Sequence, residues 1–301
     1  MEKLKFRIYA QTNKPHQVSA AKSFAEGVEK HGHFVTWDNS PADVFVSWGL
    51  RSPFRNIGKP WVCLEAGYIN GTSGSYTENR LRFISANFGG IGNACVKAIG
   101  CSDDRAQKHR IQSEMDSLKF ADFYEKRDRI VFFGQVANDA SFDGIQYEAM
   151  LARDLSRYSR EMDIPGKMVF RPHPLSSIRF DSIENDDLPL QESLARAACT
   201  ISHTSTAAVA AIMAGVPSIV LDKRSIAWPM NNKDFTWKDI EKWVTGKTSF
   251  IDENARWKWI SDVMYQQWTH SELEDGEAWE HLEMMLYTKD PFSLAGGNIL
   301  C

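Results

Sequence analysis

The feature that most constrains this chain is the regular alternation of short apolar runs with stretches of helical spacing. In the second half, four apolar runs have the length and composition of buried strands: RIVFFG (129–134), MVFRP (168–172), TISH (200–203) and SIVLD (218–222). Stretches with the apolar spacing of helices separate them, at about 145–162, 190–199 and 206–214. This order predicts a parallel sheet covered by helices on both faces.

The first half of the chain repeats the alternation. Its strand-like runs are KFRIYA (5–10), HFVTWD (33–38), DVFVSWG (43–49) and WVCLEAG (61–67), and a helix is predicted over 16–32. A charged stretch at 103–125 separates the halves. The pattern predicts an α/β fold of two Rossmann-like domains, 1–125 and 126–301, facing each other across a cleft where ligands bind at the strand ends. The Trp-rich helical segments at 237–286 are expected to pack back onto the first domain.

Composition and cysteine usage favour a folded protein in a reducing compartment. A chain of 301 residues with 43% apolar and 25% charged residues suffices for two such domains. Its five cysteines form no CxxC pair, so neither a disulfide framework nor a zinc site is predicted. No run of 18 apolar residues occurs, and the first residues lack the apolar stretch of a signal peptide. A cytoplasmic protein without a membrane span is expected.

Charge is distributed unevenly between the two halves. Residues 1–128 contain 18 basic and 14 acidic residues, a net charge of +4, whereas residues 129–301 contain 17 and 25, a net charge of −8. A basic half suits a polyanionic partner such as double-stranded DNA. Four arginines interleaved with aromatic residues are candidates for such an acceptor surface: Arg51, Arg55, Arg80 and Arg82. A solvated charged face beside core aromatics is the alternative interpretation.

Three polar segments directly follow predicted strands of the second half. They are GQVANDAS (134–141), RPHP (171–174) and SHTST (202–206). The carboxyl ends of parallel strands meet at one edge of a sheet, so these segments are expected to converge there.

The residue types in two of these segments suit a phosphate. Arg171 offers a planar fork of donors, and the prolines on either side of His173 stiffen its loop. Ser205 and Thr206 begin a predicted helix of small residues, whose free N–H groups and dipole attract anions. A solvated surface turn and an ordinary N-cap are the alternative interpretations.

Taken together and in order, the three segments resemble those of the bacterial capsule polysaccharide synthesis transferases, a Kdo-transferring family of GT-B glycosyltransferases. The third segment extends here through SHTSTAAVAAIMAGVP (202–217), and the resemblance covers roughly residues 129–222. It implies a nucleotide-sugar donor. No metal is predicted, because no DxD motif stands at a strand end, and no other cofactor is expected. The residues assigned to the donor are Gln135, Arg171, His173, His203, Ser205 and Thr206.

One position departs from the family pattern. The family has a glutamate, which commonly holds ribose hydroxyls, five residues before the glycine of its GxP motif. That position is Ala210 in this chain. The departure leaves open whether the donor is a UDP-sugar, which we favour, or a CMP-sugar.

Two carboxylates are candidates for the catalytic group. In two-domain transferases the first domain usually holds the acceptor, and Glu65 follows the strand-like run WVCL there. It is positioned to remove the proton of an acceptor hydroxyl, or else it is a structural glutamate that pairs with an arginine. Asp139 is the rival, either as the base or as the nucleophile of a retaining double displacement.

The acceptor stays open at this point. The basic first half and the compact size favour 5-hydroxymethylpyrimidine in DNA, as in small bacteriophage DNA glycosyltransferases. The capsule resemblance favours a surface polysaccharide. A nucleotide-sugar 2-epimerase shares the architecture, although Ala210 argues against it, and a non-catalytic nucleotide-sugar-binding or DNA-binding module is a further alternative.

Overall fold

The computed structural model describes residues 2–49, 54, 57–69, 83–88, 101–117, 127–137, 139–142, 146–161, 167–181, 183–231, 237–244 and 251–288. The strands are β1 (Lys5–Tyr9), β2 (Phe34–Thr36), β3 (Val44–Trp48), β4 (Trp61–Ala66), β5 (Ile84–Phe88), β6 (Arg129–Phe133), β7 (Lys167–Arg171), β8 (Glu184–Asn185), β9 (Ala197–Ser202), β10 (Ser218–Val220) and β11 (Gln267–Trp268). The helices are α1 (Pro15–Lys30), α2 (Asp104–Lys108), α3 (Ile111–Ser117), α4 (Tyr147–Glu161), α5 (Leu190–Arg196), α6 (Ala207–Met213), α7 (Trp237–Val244), α8 (Glu253–Met264), α9 (His270–Asp275) and α10 (Glu277–Thr288).

The chain divides into two compact units. Unit 1 comprises Met1–Cys101 and Asp262–Cys301, and unit 2 comprises Ser102–Ser261. The sequence-based boundary near residue 125 differs from this division. Part of the reason is a hydrogen bond of 3.0 Å from the indole N–H of Trp257 to Asp103, which ties the start of α2 to α8 within unit 2.

Unit 1 contains a mixed sheet in the order β11-β5-β4-β3-β1-β2. Strands β1 to β4 are parallel, whereas β5 runs antiparallel to β4 and β11 antiparallel to β5. Phe6 and Ile8 of β1 alternate with more exposed residues and pack against the buried face of α1. The predicted parallel strands of the first half are therefore confirmed, with an antiparallel extension that the sequence did not indicate.

Helices α9 and α10 pack back onto unit 1, as the sequence analysis expected, whereas α7 and most of α8, with Trp257 and Trp259, belong to unit 2. Helix α9 crosses α1 so closely that a Cβ on Gly27 would lie 1.9 Å from the carbonyl oxygen of Leu273. The hydroxyl of buried Ser23 donates a hydrogen bond of 2.8 Å to Glu274 at this crossing. The absence of a side chain at Gly27 therefore permits this close approach of α9 to α1.

Unit 2 contains an all-parallel sheet in the order β10-β9-β6-β7-β8. Every residue of β9 is buried, as are Ile130, Val131, Phe132 and Phe133 of β6, because helices cover both faces. The prediction of two Rossmann-like α/β units is confirmed. Within the described ranges, no helix combines the length and apolar character that crossing a bilayer requires.

Candidate functional site

The three polar segments predicted to converge lie at the carboxyl edge of the unit 2 sheet. They follow β6, β7 and β9, and β6 is hydrogen-bonded to both of the others. The ends of three adjacent parallel strands therefore place Gln135, His173 and Thr204 at one edge.

Hydrogen bonds join the segment after β6 to the segment after β9. The backbone N–H of Thr204 donates to Oε1 of Gln135 at 2.9 Å, and Nε2 of Gln135 donates to the Thr204 hydroxyl at 2.9 Å. Nε2 of Gln135 also lies 3.2 Å from Oδ2 of Asp139. Gln135 is almost fully buried, so both ends of its amide need these partners. The hydrogen bonds between Gln135 and Thr204 hold the loop after β6 against the loop after β9.

Ser141 and Tyr147 complete this network, and neither was singled out from the sequence. The Ser141 hydroxyl donates to Oδ1 of Asp139 at 2.8 Å and lies 2.8 Å from the hydroxyl of Thr204. The hydroxyl of Tyr147, the first residue of α4, accepts the backbone N–H of Gln135 at 2.6 Å. The motif GQVANDAS contained a signal for Ser141, because a serine two residues after an aspartate commonly closes an Asx turn.

The imidazole of His173 is held in one tautomer by its own loop. The backbone N–H of Leu175 donates to Nδ1 at 3.1 Å, so the neutral ring carries its proton on Nε2. Burial lowers the pKa of His173 below its ordinary value, and the opposing effect of Asp139 is smaller. His173 therefore presents a neutral N–H donor at this edge near pH 7.

The guanidinium of Arg171 is occupied by the segment that precedes α5. Its Nη1 donates to the backbone carbonyls of Asp186 and Leu188, and it lies 3.8 Å from the buried carboxylate of Asp186. Burial lowers the pKa of Arg171, while Asp186 and Asp187 raise it. Arg171 thus fixes the end of β7, on which the position of His173 depends.

The segment after β9 contains Ser205 and Thr206. The Ser205 hydroxyl accepts the backbone N–H of Ala207 at 3.3 Å, whereas the Thr206 side chain makes no cap hydrogen bond to α6. Ala210 is half-buried on α6. Ser205 therefore stabilises the start of this short helix, and Thr206 precedes it at the edge.

His203 turns away from this edge into the core of unit 2. Its Nε2 lies 2.9 Å from Oδ2 of Asp154 on α4, and its ring packs among Phe132, Phe142 and Tyr147. Burial lowers its pKa, although the hydrogen bond to Asp154 raises it. The expectation that His203 contacts a donor is not met by its orientation, because the apolar residues beneath α4 enclose its ring.

The unit 1 sheet carries the other predicted catalytic carboxylate at its own carboxyl edge. Glu65 is half-buried at the end of β4, and a Cβ on Gly49 would lie 3.6 Å from its Oε1. Gly49 has a φ of +79°, which turns the chain sharply after β3. Arg51, Arg55, Arg80 and Arg82, the predicted acceptor residues, lie outside the described residues.

At this edge of unit 2, N–H, hydroxyl and amide donors lie beside the carboxylate of Asp139. Over the part of the chain that the structure describes, no cluster of three or more His, Cys, Asp or Glu side chains is arranged to hold a metal ion.

Comparisons with known proteins identify similar folds and no sequence family. No protein-family model matches the chain, and no curated protein sequence matches it. The solved structure of the KpsC β-Kdo 2,4-transferase from Thermosulfurimonas dismutans superposes with a TM-score of 0.58 at 12% identity, covering 86% of this chain and 90% of that one. The KpsC β-Kdo 2,7-transferase of the same organism gives a TM-score of 0.47 at 16% identity over 81% and 90%.

At 12% identity the first of these likenesses establishes the fold alone. The chain has the α/β fold, with two Rossmann-like units, that GT-B glycosyltransferases share.

Proposed function

We propose that this protein is a glycosyltransferase that moves a sugar from a nucleotide-sugar, favoured as a UDP-sugar, to a hydroxyl acceptor. The observation that carries the proposal is the cross-linked polar edge of unit 2, where Thr204 and Gln135 exchange hydrogen bonds beside His173. A ligand that carries both phosphates and hydroxyls suits this combination of donors with one carboxylate.

Each donor-side residue has a proposed role. Nε2–H of His173 donates to a phosphate oxygen, and the hydroxyls of Ser205 and Thr206 contact the same group. Asp139 faces the sugar or the nucleoside, and Gln135, whose amide is paired at both ends, holds Asp139 and Thr204 in place. Arg171 contributes through His173, because its guanidinium is already engaged by the Asp186–Leu188 carbonyls.

The proposed reaction is a displacement at the anomeric carbon. Glu65 accepts the proton of the acceptor hydroxyl, whose oxygen forms a bond to C1 of the sugar as the bond from C1 to the nucleotide oxygen breaks. The nucleotide leaves with that electron pair, and donors at the unit 2 edge stabilise its charge. The alternative role for Asp139 is a nucleophile in a double displacement.

The proposed acceptor is 5-hydroxymethylpyrimidine in double-stranded DNA. Taken alone, the net charge of +4 over residues 1–128 supports a polyanion; with residues 262–301, which belong to the same unit as residues 1–101, unit 1 contains 13 basic and 15 acidic residues. Binding to duplex DNA should weaken steeply as salt rises, because counterions are released from the phosphates.

A donor screen followed by a transfer assay tests the proposal. UDP- and CMP-sugars are compared by thermal shift, and the stabilising donor is incubated with duplex DNA that contains 5-hydroxymethylcytosine. Mass spectrometry should show the base heavier by one sugar residue. If no donor raises the melting temperature and no product forms with any acceptor, glycosyl transfer is wrong. If a donor binds while DNA gains no sugar, only the acceptor is wrong.

A further inference from the structure

Strands β1, β3 and β4 end side by side at the carboxyl edge of the unit 1 sheet. They are neighbours in the order β4-β3-β1, and all three run parallel. The sheet has a topological switch point here, because the chain passes from β1 through α1 to β2 on one side, whereas β3 and β4 lie on the other side. Open α/β sheets bind their ligands at such points, outside the carboxyl ends of the strands.

One face of this sheet carries both Tyr9, at the end of β1, and Glu65, near the end of β4. The residues that precede them, Ile8 and Leu64, belong to the core cluster that contains the buried side of α1. Because side chains alternate along a strand, Tyr9 and Glu65 belong to the opposite face. The register agrees, since Tyr9 is paired with Ser47 of β3, the residue that follows a core valine.

Between Tyr9 and Glu65, strand β3 is followed by a glycine. On their face of the sheet, Ser47 is buried, and its hydroxyl accepts the indole N–H of Trp61 at 2.8 Å. Two residues further on, Gly49 has a φ of +79°, and a Cβ there would lie 3.6 Å from Oε1 of Glu65. Neighbouring strands are about 4.8 Å apart, so the backbones of β1 and β4 are separated by about 10 Å. We call Tyr9, Gly49 and Glu65 the unit 1 notch.

The ring of Tyr9 is exposed and yet held in place. It is 45% exposed, and it meets the ring of Phe54 edge-on at 6.1 Å. Phe54 is buried, its ring lies 4.8 Å from that of Phe45, and the guanidinium of Arg7 lies 5.2 Å from its centroid. An exposed ring whose orientation is already fixed loses little conformational freedom when a flat ligand stacks on it.

We propose that the pyrimidine ring carrying the acceptor hydroxymethyl group stacks on Tyr9 and projects its hydroxyl across Gly49 to Glu65. The inference rests on the proposed function and names the residue that positions the acceptor within it. A base reaches an enzyme only after it leaves the duplex stack, and aromatic side chains then replace its stacking neighbours. The missing side chain at Gly49 leaves space beside the carboxylate for the hydroxymethyl group.

Binding of a defined DNA probe to variants of Tyr9 tests the inference. The probe is a short duplex with one 5-hydroxymethylcytosine opposite an abasic site, which lowers the cost of extruding the base. The control probe has abasic sites in both strands. We expect wild type to prefer the first probe and Tyr9→Ala to weaken binding of that probe about tenfold. Tyr9→Phe keeps the ring and should bind it like wild type.

Phe34→Ala is the matched control for Tyr9→Ala. Phe34 is 56% exposed at the amino end of β2, and its register partner is Lys5, which shares a face with Tyr9. Its removal therefore takes a similar apolar area from the same face at the opposite edge of the sheet. Its affinity for both probes should equal that of wild type.

A side chain at residue 49 tests the gap between Tyr9 and Glu65. Gly49→Asn introduces a residue that adopts a positive φ more readily than most, and it should weaken binding of the first probe about tenfold. Gly32→Asn is its control, because Gly32 has a φ of +83° and a Cβ there would have nothing within 4 Å. Circular dichroism checks that both variants are folded. Equal affinity of Gly49→Asn and wild type would show that the hydroxymethyl group does not cross Gly49.

The outcomes separate this inference from the proposed function. If Tyr9→Ala binds the first probe as wild type does, or if wild type does not prefer that probe, the inference is overturned even when sugar is transferred to a polysaccharide. If no donor supports transfer while Tyr9→Ala and Gly49→Asn lose the preference for the base, the subsite stands and the proposed reaction fails. If the base receives sugar, Tyr9→Ala should raise KM for the DNA about tenfold, and a fall in kcat alone would contradict its role in binding.

Discussion

The carboxyl edges of the two sheets differ in the chemistry that ends their parallel strands. In unit 2 the residues after the strands are polar and bonded to one another, as Gln135 and Thr204 show. In unit 1 the strands end in exposed or half-buried rings, such as Tyr9 and Trp48, with one carboxylate, Glu65, beside them. The same βαβ scaffold thus presents a hydrogen-bonded polar edge in one unit and aromatic strand ends in the other.

The difference teaches how each edge can be specific. A buried, fully paired network keeps its donors in one geometry, which suits a ligand whose phosphates and hydroxyls must be placed accurately. The rings that end β1 and β3 offer apolar area without a fixed hydrogen-bond pattern. In the proposed function Glu65 acts at the unit 1 edge and the donor binds at the unit 2 edge, so variants at the two edges should change different kinetic constants.

The largest effect is expected at Glu65. Glu65→Gln keeps the shape of the side chain but removes the proton acceptor, so kcat should fall about 10²- to 10⁴-fold while donor affinity stays unchanged. Kinetics with saturating donor measure the first quantity, and calorimetry measures the second. Asp139→Asn is the comparison. The partners of Asp139, Gln135 and Ser141, lie at the polar edge of unit 2, so this substitution should mainly weaken donor affinity. Full turnover by the Glu65→Gln variant would exclude Glu65 as the base.

The next effect in size is expected at His173. His173→Ala removes one hydrogen bond to a charged phosphate, which is worth about 1.5–3 kcal/mol, so donor affinity should fall about ten- to a hundredfold. The melting temperature should change little, because only the backbone of Leu175 loses a partner. His16→Ala, at the unit 1 edge, should leave donor affinity as it is. Equal affinity of His173→Ala and wild type in calorimetry would end the phosphate role.

A smaller effect is expected from the bonds that join the loops. Thr204→Val removes a hydroxyl that contacts both Gln135 and Ser141, and it should cost about 1–2 kcal/mol of stability and weaken donor binding a few-fold. Thr200→Val is the control within β9, the strand that precedes Thr204, since Thr200 pairs at 2.8 Å with Ser218 inside the sheet. Both variants should unfold at lower urea concentration, but only Thr204→Val should bind donor more weakly. If Thr204→Val and Thr200→Val weaken donor binding equally, the weaker binding results from a general loss of stability.

The smallest effect concerns pH and stability. Burial lowers the pKa of His33, His173 and His203 in the folded protein, whereas each unfolded histidine titrates near 6.5. The unfolded chain therefore binds more protons below about pH 6.5, and the free energy of unfolding should decrease as pH falls from 7 to 5. His203→Gln should show a shallower decrease than wild type in urea titrations, and identical slopes would contradict the contribution of His203.

Much of the polar edge of unit 2 could be predicted from the sequence. Apolar runs identified β6, β7 and β9, and polar residues directly after them had to share one edge, because parallel strands end together. Ser141 and Tyr147 were not predicted. Ser141 acts through a hydrogen bond to Asp139 within a turn, and Tyr147, at the start of α4, acts through a hydrogen bond to Gln135. The orientation of His203 depended on Asp154, whose place two turns along α4 carries no local signal.

The sequence by itself determined the parallel strands and the polar segments that follow them, because strand burial and turn chemistry are local properties of the chain. Tertiary structure decided which residues join which edge. Strands β1 and β2 are neighbours in the sheet although α1 separates them in sequence, and Arg171 is engaged only because the Asp186–Leu188 carbonyls approach it. Strand order and competition for buried hydrogen-bond partners arise from packing over the whole unit, so no short stretch of sequence contains them.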